Sequence, residues 1–147
     1  MKSFKNVIIL FIIILIGSCE NDSNNDNGIN SLKDSKWILI SFQPHDTQIE
    51  EFKPGNIKEM NIEFTNENTV HAVSSCNTFD GNFSIQDPDT LKIYDLCTML
   101  INCENDTITY WENKYYYELK NAENYYIEAN RLTIETKSNI AINFKAD

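Results

Sequence analysis

From Ser31 onward, apolar and polar residues alternate with a period of two along most of the chain. Trp37 and Leu39 share one face of an apolar, β-favouring run from Lys36 to Phe42. Met60, Ile62 and Phe64 alternate with Asn61 and Glu63, and Val70 and Ala72 flank His71. Phe83 and Ile85 follow Gly81, and Leu91 and Ile93 flank Lys92. Nearer the end, Tyr125 and Ile127 alternate with Tyr126 and Glu128. Leu132 and Ile134 alternate with Thr133 and Glu135. Ile140, Ile142 and Phe144 alternate with Ala141, Asn143 and Lys145. The pattern predicts eight strands, each with one apolar face. Turn chemistry separates them at Lys53-Pro54-Gly55-Asn56, Asn66-Glu67-Asn68, Asp80-Gly81-Asn82, Asp87-Pro88-Asp89 and Lys137-Ser138-Asn139.

One segment departs from the alternation. Ile108, Trp111, Tyr115, Leu119 and Ala122 fall at helical spacings, with Glu112, Lys114, Glu118 and Lys120 largely elsewhere on the wheel. Asp106 or Thr107 is placed to cap the start. Five strands, one helix and three strands predict an α+β domain. Its curved antiparallel sheet, or cracked β-barrel, of about eight strands packs around one α-helix. The helix carries Tyr110, Trp111, Tyr115, Tyr116 and Tyr117. Trp111 and Tyr115 are candidates to line a ligand cavity, and the bland alternative is that they form a core stripe.

The beginning of the chain has a different character. Lys2 and Lys5 precede an unbroken apolar run from Val7 to Ile16, followed by Gly17, Ser18 and Cys19. This is the layout of a secretory signal over residues 1–18. The run is too short for a membrane-spanning helix, which needs about 20 apolar residues. Leu15-Ile16-Gly17-Ser18-Cys19 resembles the lipobox of bacterial lipoproteins. The resemblance implies cleavage before Cys19 and a diacylglyceryl group on its thiol, with N-acylation adding a further chain. Two or more acyl chains anchor firmly, because each buried CH₂ contributes about 0.8 kcal/mol. The expected partner is therefore a membrane, and the expected location is the outer membrane, facing the periplasm or the cell surface.

Residues 19–30 read as the lipidated cysteine plus a flexible tether. Glu20 to Asn30 holds three acids and five asparagines, with Ile29 its lone strongly apolar residue. Such a stretch cannot bury enough surface to offset its ordering entropy. Asp22, Asn24 and Asp26 begin like a calcium loop, but Asn27 stands where the turn glycine belongs and Lys33 where the bidentate Glu belongs.

Charge narrows the partners. The chain carries 12 basic and 22 acidic residues, and cleavage before Cys19 removes two lysines and no acid, moving the net charge from −10 to −12. Nucleic acid demands a basic face and is not an expected partner. Cysteine usage is informative as well. In an oxidising compartment Cys76, Cys97 and Cys103 allow one disulfide and one thiol. The order of preference is Cys76–Cys103, then Cys76–Cys97, then Cys97–Cys103. The first closes a long loop, with a gain of about 3 kcal/mol by the chain-entropy relation. No C-x₂-C pair is present and His45 and His71 lie far from the cysteines in sequence, so neither metal nor other cofactor is expected. There is no G-x-S-x-G, H-E-x-x-H or phosphate loop, and the chain reads as non-catalytic.

Residues 31–147 resemble the META domain (HslJ-like) family. Ser35-Lys36-Trp37-Ile38-Leu39 supplies its early tryptophan. Cys76-Asn77-Thr78-Phe79-Asp80-Gly81-Asn82-Phe83 is similar to its C-N-x-x-x-G-x-Y motif, with Phe83 for Tyr. Leu91 to Ile93, Thr98 to Cys103, a helix with Glu112 and Leu119, and the hairpin Tyr125 to Ile134 follow in family order. The segment from Thr98 to Cys103 is one residue longer than the family's Thr-x-x-x-Cys, and Cys97 stands outside the pattern.

The resemblance implies a small envelope or secreted domain linked to stress tolerance or virulence, without an established enzymatic activity. It also implies a fold similar to lipoprotein pilots whose cracked barrel takes an acyl chain. Two roles are therefore in view. One is a binding, assembly or stress-tolerance module with an envelope protein partner; the other is a carrier of a small apolar or lipid ligand in the barrel. Asn77, Asp80 and Gly81 read as a tight connection between strands, pinned by Cys76, or as a binding loop at the barrel mouth.

Overall fold

The structure, a computed structural model, describes residues 32–45, 59–98, 101, 103 and 105–147. Cys19, the segments on either side of it and the Lys53-Pro54-Gly55-Asn56 turn lie outside the described residues.

The alternation folds as expected into eight strands: β1 (Ser35–Pro44), β2 (Asn61–Phe64), β3 (Thr69–Val73), β4 (Thr78–Ile85), β5 (Leu91–Thr98), β6 (Ala122–Glu128), β7 (Arg131–Thr136) and β8 (Ile140–Ala146). Helix α1 (Asp106–Lys120) separates β5 from β6. The strands form one antiparallel sheet in the order β5-β4-β3-β2-β1-β8-β7-β6, curled into a half-barrel. Its two edges meet at one end, where the Tyr125 amide donates to the Asp89 carbonyl at 2.7 Å and Thr90 bridges to Asn124. Curling reduces the exposed edge that an open sheet of this length would carry.

Inward-facing side chains make one core. Trp37, Leu39, Ile62, Phe64, Val70, Phe79, Phe83, Ile93, Leu132, Ile134, Ile142 and Phe144 are all buried. In β1 the inward phase changes after Leu39. Leu39 pairs with Phe144 and Ser41 with Asn143, which leaves Ile40 as an extra residue. This bulge turns Phe42 inward, and Phe42 is fully buried. The Asn and Asp turn residues adopt the left-handed conformations that these types tolerate, with φ of 63° at Asn68 and 62° at Asn139.

Two boundaries differ from expectation. The helix cap is Asn105 rather than Asp106 or Thr107: its backbone is extended and its Oδ1 accepts from the Ile108 amide at 2.9 Å. Asp106 instead occupies the first turn, where a negative charge suits the helix dipole. Ala122 does not continue the helical stripe, because α1 ends at Lys120 and Ala122 opens β6.

The Asp80-Gly81-Asn82 turn is also corrected. These residues lie inside β4, and Gly81 has no positive φ. Asp80 pairs with Cys97 and Asn82 with Tyr94, so β5 carries one more residue than β4 across this stretch. Asp95 absorbs it with φ 54°. The bulge presses the strands together, and a Cβ on Gly81 would stand 2.9 Å from the Tyr94 carbonyl oxygen and 3.0 Å from Leu96 Cα. Close approach of two backbones, not turn conformation, explains the glycine.

Candidate functional site

A polar cluster lies where α1, the start of β4 and the segment after β5 converge. Its centre is Glu112. The spacing Glu112, Tyr115, Leu119 places this carboxylate on the helix stripe that faces the core, and Glu112 is only 4 % exposed. This overturns the expectation that Glu112 and Glu118 sit away from that stripe, since both are buried. Glu118 accepts from the Thr136 hydroxyl at 2.9 Å.

Three neutral donors satisfy Glu112. The Ser74 hydroxyl donates to Oε2 at 2.9 Å, the Cys103 thiol to Oε2 at 3.2 Å and the Asn77 amide to Oε1. Asn77 is itself a clamp: its Nδ2 also donates to the Ile101 carbonyl at 3.1 Å, while its Oδ1 accepts from the Ile101 amide at 2.8 Å. Ser74 Oγ accepts from the Asn77 amide at 3.0 Å, closing a tight turn just before β4. Cys-Asn of the sequence motif therefore ties the strand to both the helix and the following segment. A buried carboxylate is tolerated because its lone pairs are used by these donors.

The structure sorts the sequence candidates unequally. Cys76 and Cys103 come together, and the ligand atoms of Cys76, Cys103 and Glu112 all lie within 4.8 Å of one another. The sulfurs are two separate thiols. Cys97 is exposed on β5, cross-strand from Asp80, and stands outside this group. Asn77 belongs to the cluster, whereas Asp80 points outward and meets the His71 Nδ1 at 2.6 Å. Gly81 packs into the sheet. The three do not form one loop, because they sit on or beside a strand whose successive residues face opposite ways.

Of the two readings of Tyr115, cavity lining and core stripe, its position is that of a core residue. It is fully buried, its ring meets Phe42, Phe79 and Phe144 at centroid distances of 6.3, 6.1 and 6.4 Å, and its hydroxyl donates to the Asn61 carbonyl at 3.0 Å. Trp111 is half-buried and stacks on Phe42 at 5.9 Å.

Burial pushes the Cys103 thiol up to about 12, aided by its hydrogen bonds to Cys76 and Glu112 and by the negative charge of Glu112. The thiol is therefore protonated, and weakly nucleophilic, near neutral pH. Folding favours this protonated form, so the stability it contributes is complete below pH 9.0 and falls as pH rises toward 12. In the reduced, metal-free protein at pH 9.0, the usual thiol value, Cys103 is expected to react with iodoacetamide about twentyfold more slowly than an ordinary exposed thiol. Glu112→Gln removes the adjacent negative charge, lowers the thiol pKa and speeds the reaction. Site-resolved mass spectrometry across pH measures both.

Sequence reasoning missed Ser74 and the central role of Glu112. A carboxylate three and seven residues before Tyr115 and Leu119 was the available signal. The two histidines lie elsewhere, His45 facing Glu135 at 3.9 Å and His71 facing Asp80.

The META domain model matches residues 30–147. No curated protein matches the chain. Among solved structures, the fold is similar to that of a Burkholderia xenovorans protein, with TM-score 0.68 and 13 % identity over 100 % of this chain and 99 % of that one. It is similar also to a DUF4847 family protein from Bacteroides vulgatus, with TM-score 0.58 and 17 % identity over 79 % of this chain and 94 % of the other. At these identities the likeness shows the fold alone.

Proposed function

This chain belongs to the META domain family, and we propose that it is a non-catalytic envelope lipoprotein whose folded domain serves as a binding, assembly or stress-tolerance module at the outer membrane. The observation that carries the reading is the ten-residue apolar run Val7 to Ile16, which leads through Gly17-Ser18 to Cys19 and is followed by a polar stretch. The tether would let the domain reach a partner away from the lipid surface.

The geometry supports binding over catalysis. Ser74 and Cys103 donate to a carboxylate that is already satisfied, and both described histidines are engaged elsewhere. A serine or thiol nucleophile needs an adjacent base free to take its proton. Support for a protein partner lies on the outer face of α1. Tyr110 and Tyr117 are 57 % and 60 % exposed, beside a shallow cleft of about 590 Å³ that Asn113, Lys114 and Glu118 help to line. Exposed tyrosines with polar neighbours suit an interface. A carrier role would use the barrel interior, where the described rings of Phe42, Phe79 and Phe144 pack around Tyr115.

Intact mass and fractionation test the proposal. The native protein should pellet with membranes and have the mass of residues 19–147 plus diacylglycerol and an acyl chain, and Cys19→Ser should move to the soluble fraction. A native mass matching cleavage without lipid would remove the anchor. A photocrosslinker at Tyr117 should capture an envelope protein; capture of none would count against the partner face.

A further inference from the structure

We propose that Cys76, Cys103 and Glu112 form a binding site for a borderline-soft divalent cation, of which Zn²⁺ is the best-suited example. The proposal goes beyond the envelope role and does not depend on the lipid anchor.

Donor chemistry comes first. Two thiolates and one carboxylate are a ligand set that zinc accepts and that hard cations such as Mg²⁺ or Ca²⁺ do not favour. Together they would bring three negative charges, which a divalent ion largely offsets. Among the described residues, the donors to the buried Glu112 carboxylate are neutral. A cation at this point would supply the positive charge that a buried carboxylate otherwise lacks.

Spacing comes second. Tetrahedral ligands about 2.0–2.3 Å from zinc stand about 3.3–3.8 Å from one another. Here Cys103 Sγ is 3.2 Å from Glu112 Oε2, Cys76 Sγ is 3.6 Å from the Ile101 carbonyl oxygen, and Cys103 Sγ is 4.0 Å from that same oxygen. The three side-chain ligand atoms lie within 4.8 Å of one another. Closing the wider gaps by roughly 1 Å would bring the three ligands to tetrahedral separations, with the Ile101 carbonyl or a water at the fourth position.

Support from outside the ligands comes third. Ser74 and Asn77 each donate to Glu112, and Asn77 also holds the Ile101 backbone by two hydrogen bonds. Groups of this kind orient metal ligands before the ion arrives. On binding, both thiols release their protons to solvent, two sulfur–metal bonds form, and nothing is oxidised or reduced. The sequence spacing concealed the site because its third ligand comes from the helix.

The test uses the full chain in detergent, reduced and freed of metal with a chelator, with Co²⁺ as spectroscopic probe and Zn²⁺ as competitor. One equivalent of Co²⁺ should give the intense sulfur-to-metal band and visible bands of a tetrahedral thiolate site, and Zn²⁺ should abolish them. Cys97→Ser should leave the spectrum unchanged. Cys76→Ser and Cys103→Ser should each cut the sulfur band by half or more and the double variant should abolish it, and Glu112→Gln should weaken Zn²⁺ binding by about 100-fold or more, beyond the loss usual for an outer partner. Circular dichroism establishes that each variant is folded, and an unfolded Glu112→Gln leaves the two serine variants to decide. A folded, reduced wild type without the sulfur band would overturn the site. So would loss of the band in Cys97→Ser, or a quantitative Cys76–Cys103 disulfide in protein taken from cells.

Discussion

Tyr115→Ala is expected to destabilise the domain by about 4 kcal/mol, the range for deleting a large buried ring. The ring is fully buried and touches aromatic residues from three strands, Phe42 of β1, Phe79 of β4 and Phe144 of β8. β1 and β8 are neighbours in the sheet order and β4 lies three places from β1, so the ring joins the β4 side of the curled sheet to the β1–β8 side. Its neighbours are themselves large and held in strands, so they cannot collapse far into the space left behind. Tyr115→Phe isolates the hydroxyl, which donates to the Asn61 carbonyl at 3.0 Å, and should cost about 1 kcal/mol. Urea denaturation measures both. A shifted midpoint with an unchanged slope is the expected result, and a loss below about 1 kcal/mol for the alanine variant would show that the interior does not depend on this ring.

Glu112→Ala should follow at about 3 kcal/mol. It leaves the Cys103 thiol and one arm of the Asn77 amide without their carboxylate acceptor, while the Ser74 hydroxyl keeps the Asn77 carbonyl at 2.9 Å. Each buried donor without a partner costs about 1–3 kcal/mol, and water entering the shortened site recovers part of that sum. Glu112→Gln keeps one oxygen facing Asn77 and should cost about 1 kcal/mol. The loss should also be local. The Ile101 amide, held by Asn77 Oδ1, should exchange its hydrogen faster in the reduced, metal-free alanine variant than in wild type. Unchanged exchange together with unchanged stability would mean that Glu112 does not organise the cluster.

Both predictions rest on one helix, and that helix shows how far the sequence could be read. The spacing of Trp111, Tyr115 and Leu119 was enough to predict α1 and its apolar stripe. It was not enough to show that Glu112 and Glu118 lie on the same buried face, because helical periodicity identifies a face without saying which polar residues find partners there. Their partners, Ser74 and Thr136, are distant in sequence and arrive only when the sheet curls. The two bulges were equally hidden. Alternation gives the same signal on either side of Ile40 or Asp95, and a change of phase shows only in the cross-strand register. A glycine between Asp and Asn, as at Gly81, is the pattern of a turn. Its actual role depends on Tyr94 and Leu96 of the neighbouring strand.

By itself the sequence determined the eight strands β1 to β8, helix α1, their order and the family, since these follow from local periodicity, turn chemistry and a motif read along the chain. Only the tertiary structure decided the site. Cys76, Cys103 and Glu112 belong to three separate segments, and no spacing rule joins them. They meet because β4, the segment after β5 and α1 converge at one place, and that convergence is set by the packing of the whole curled sheet around Tyr115.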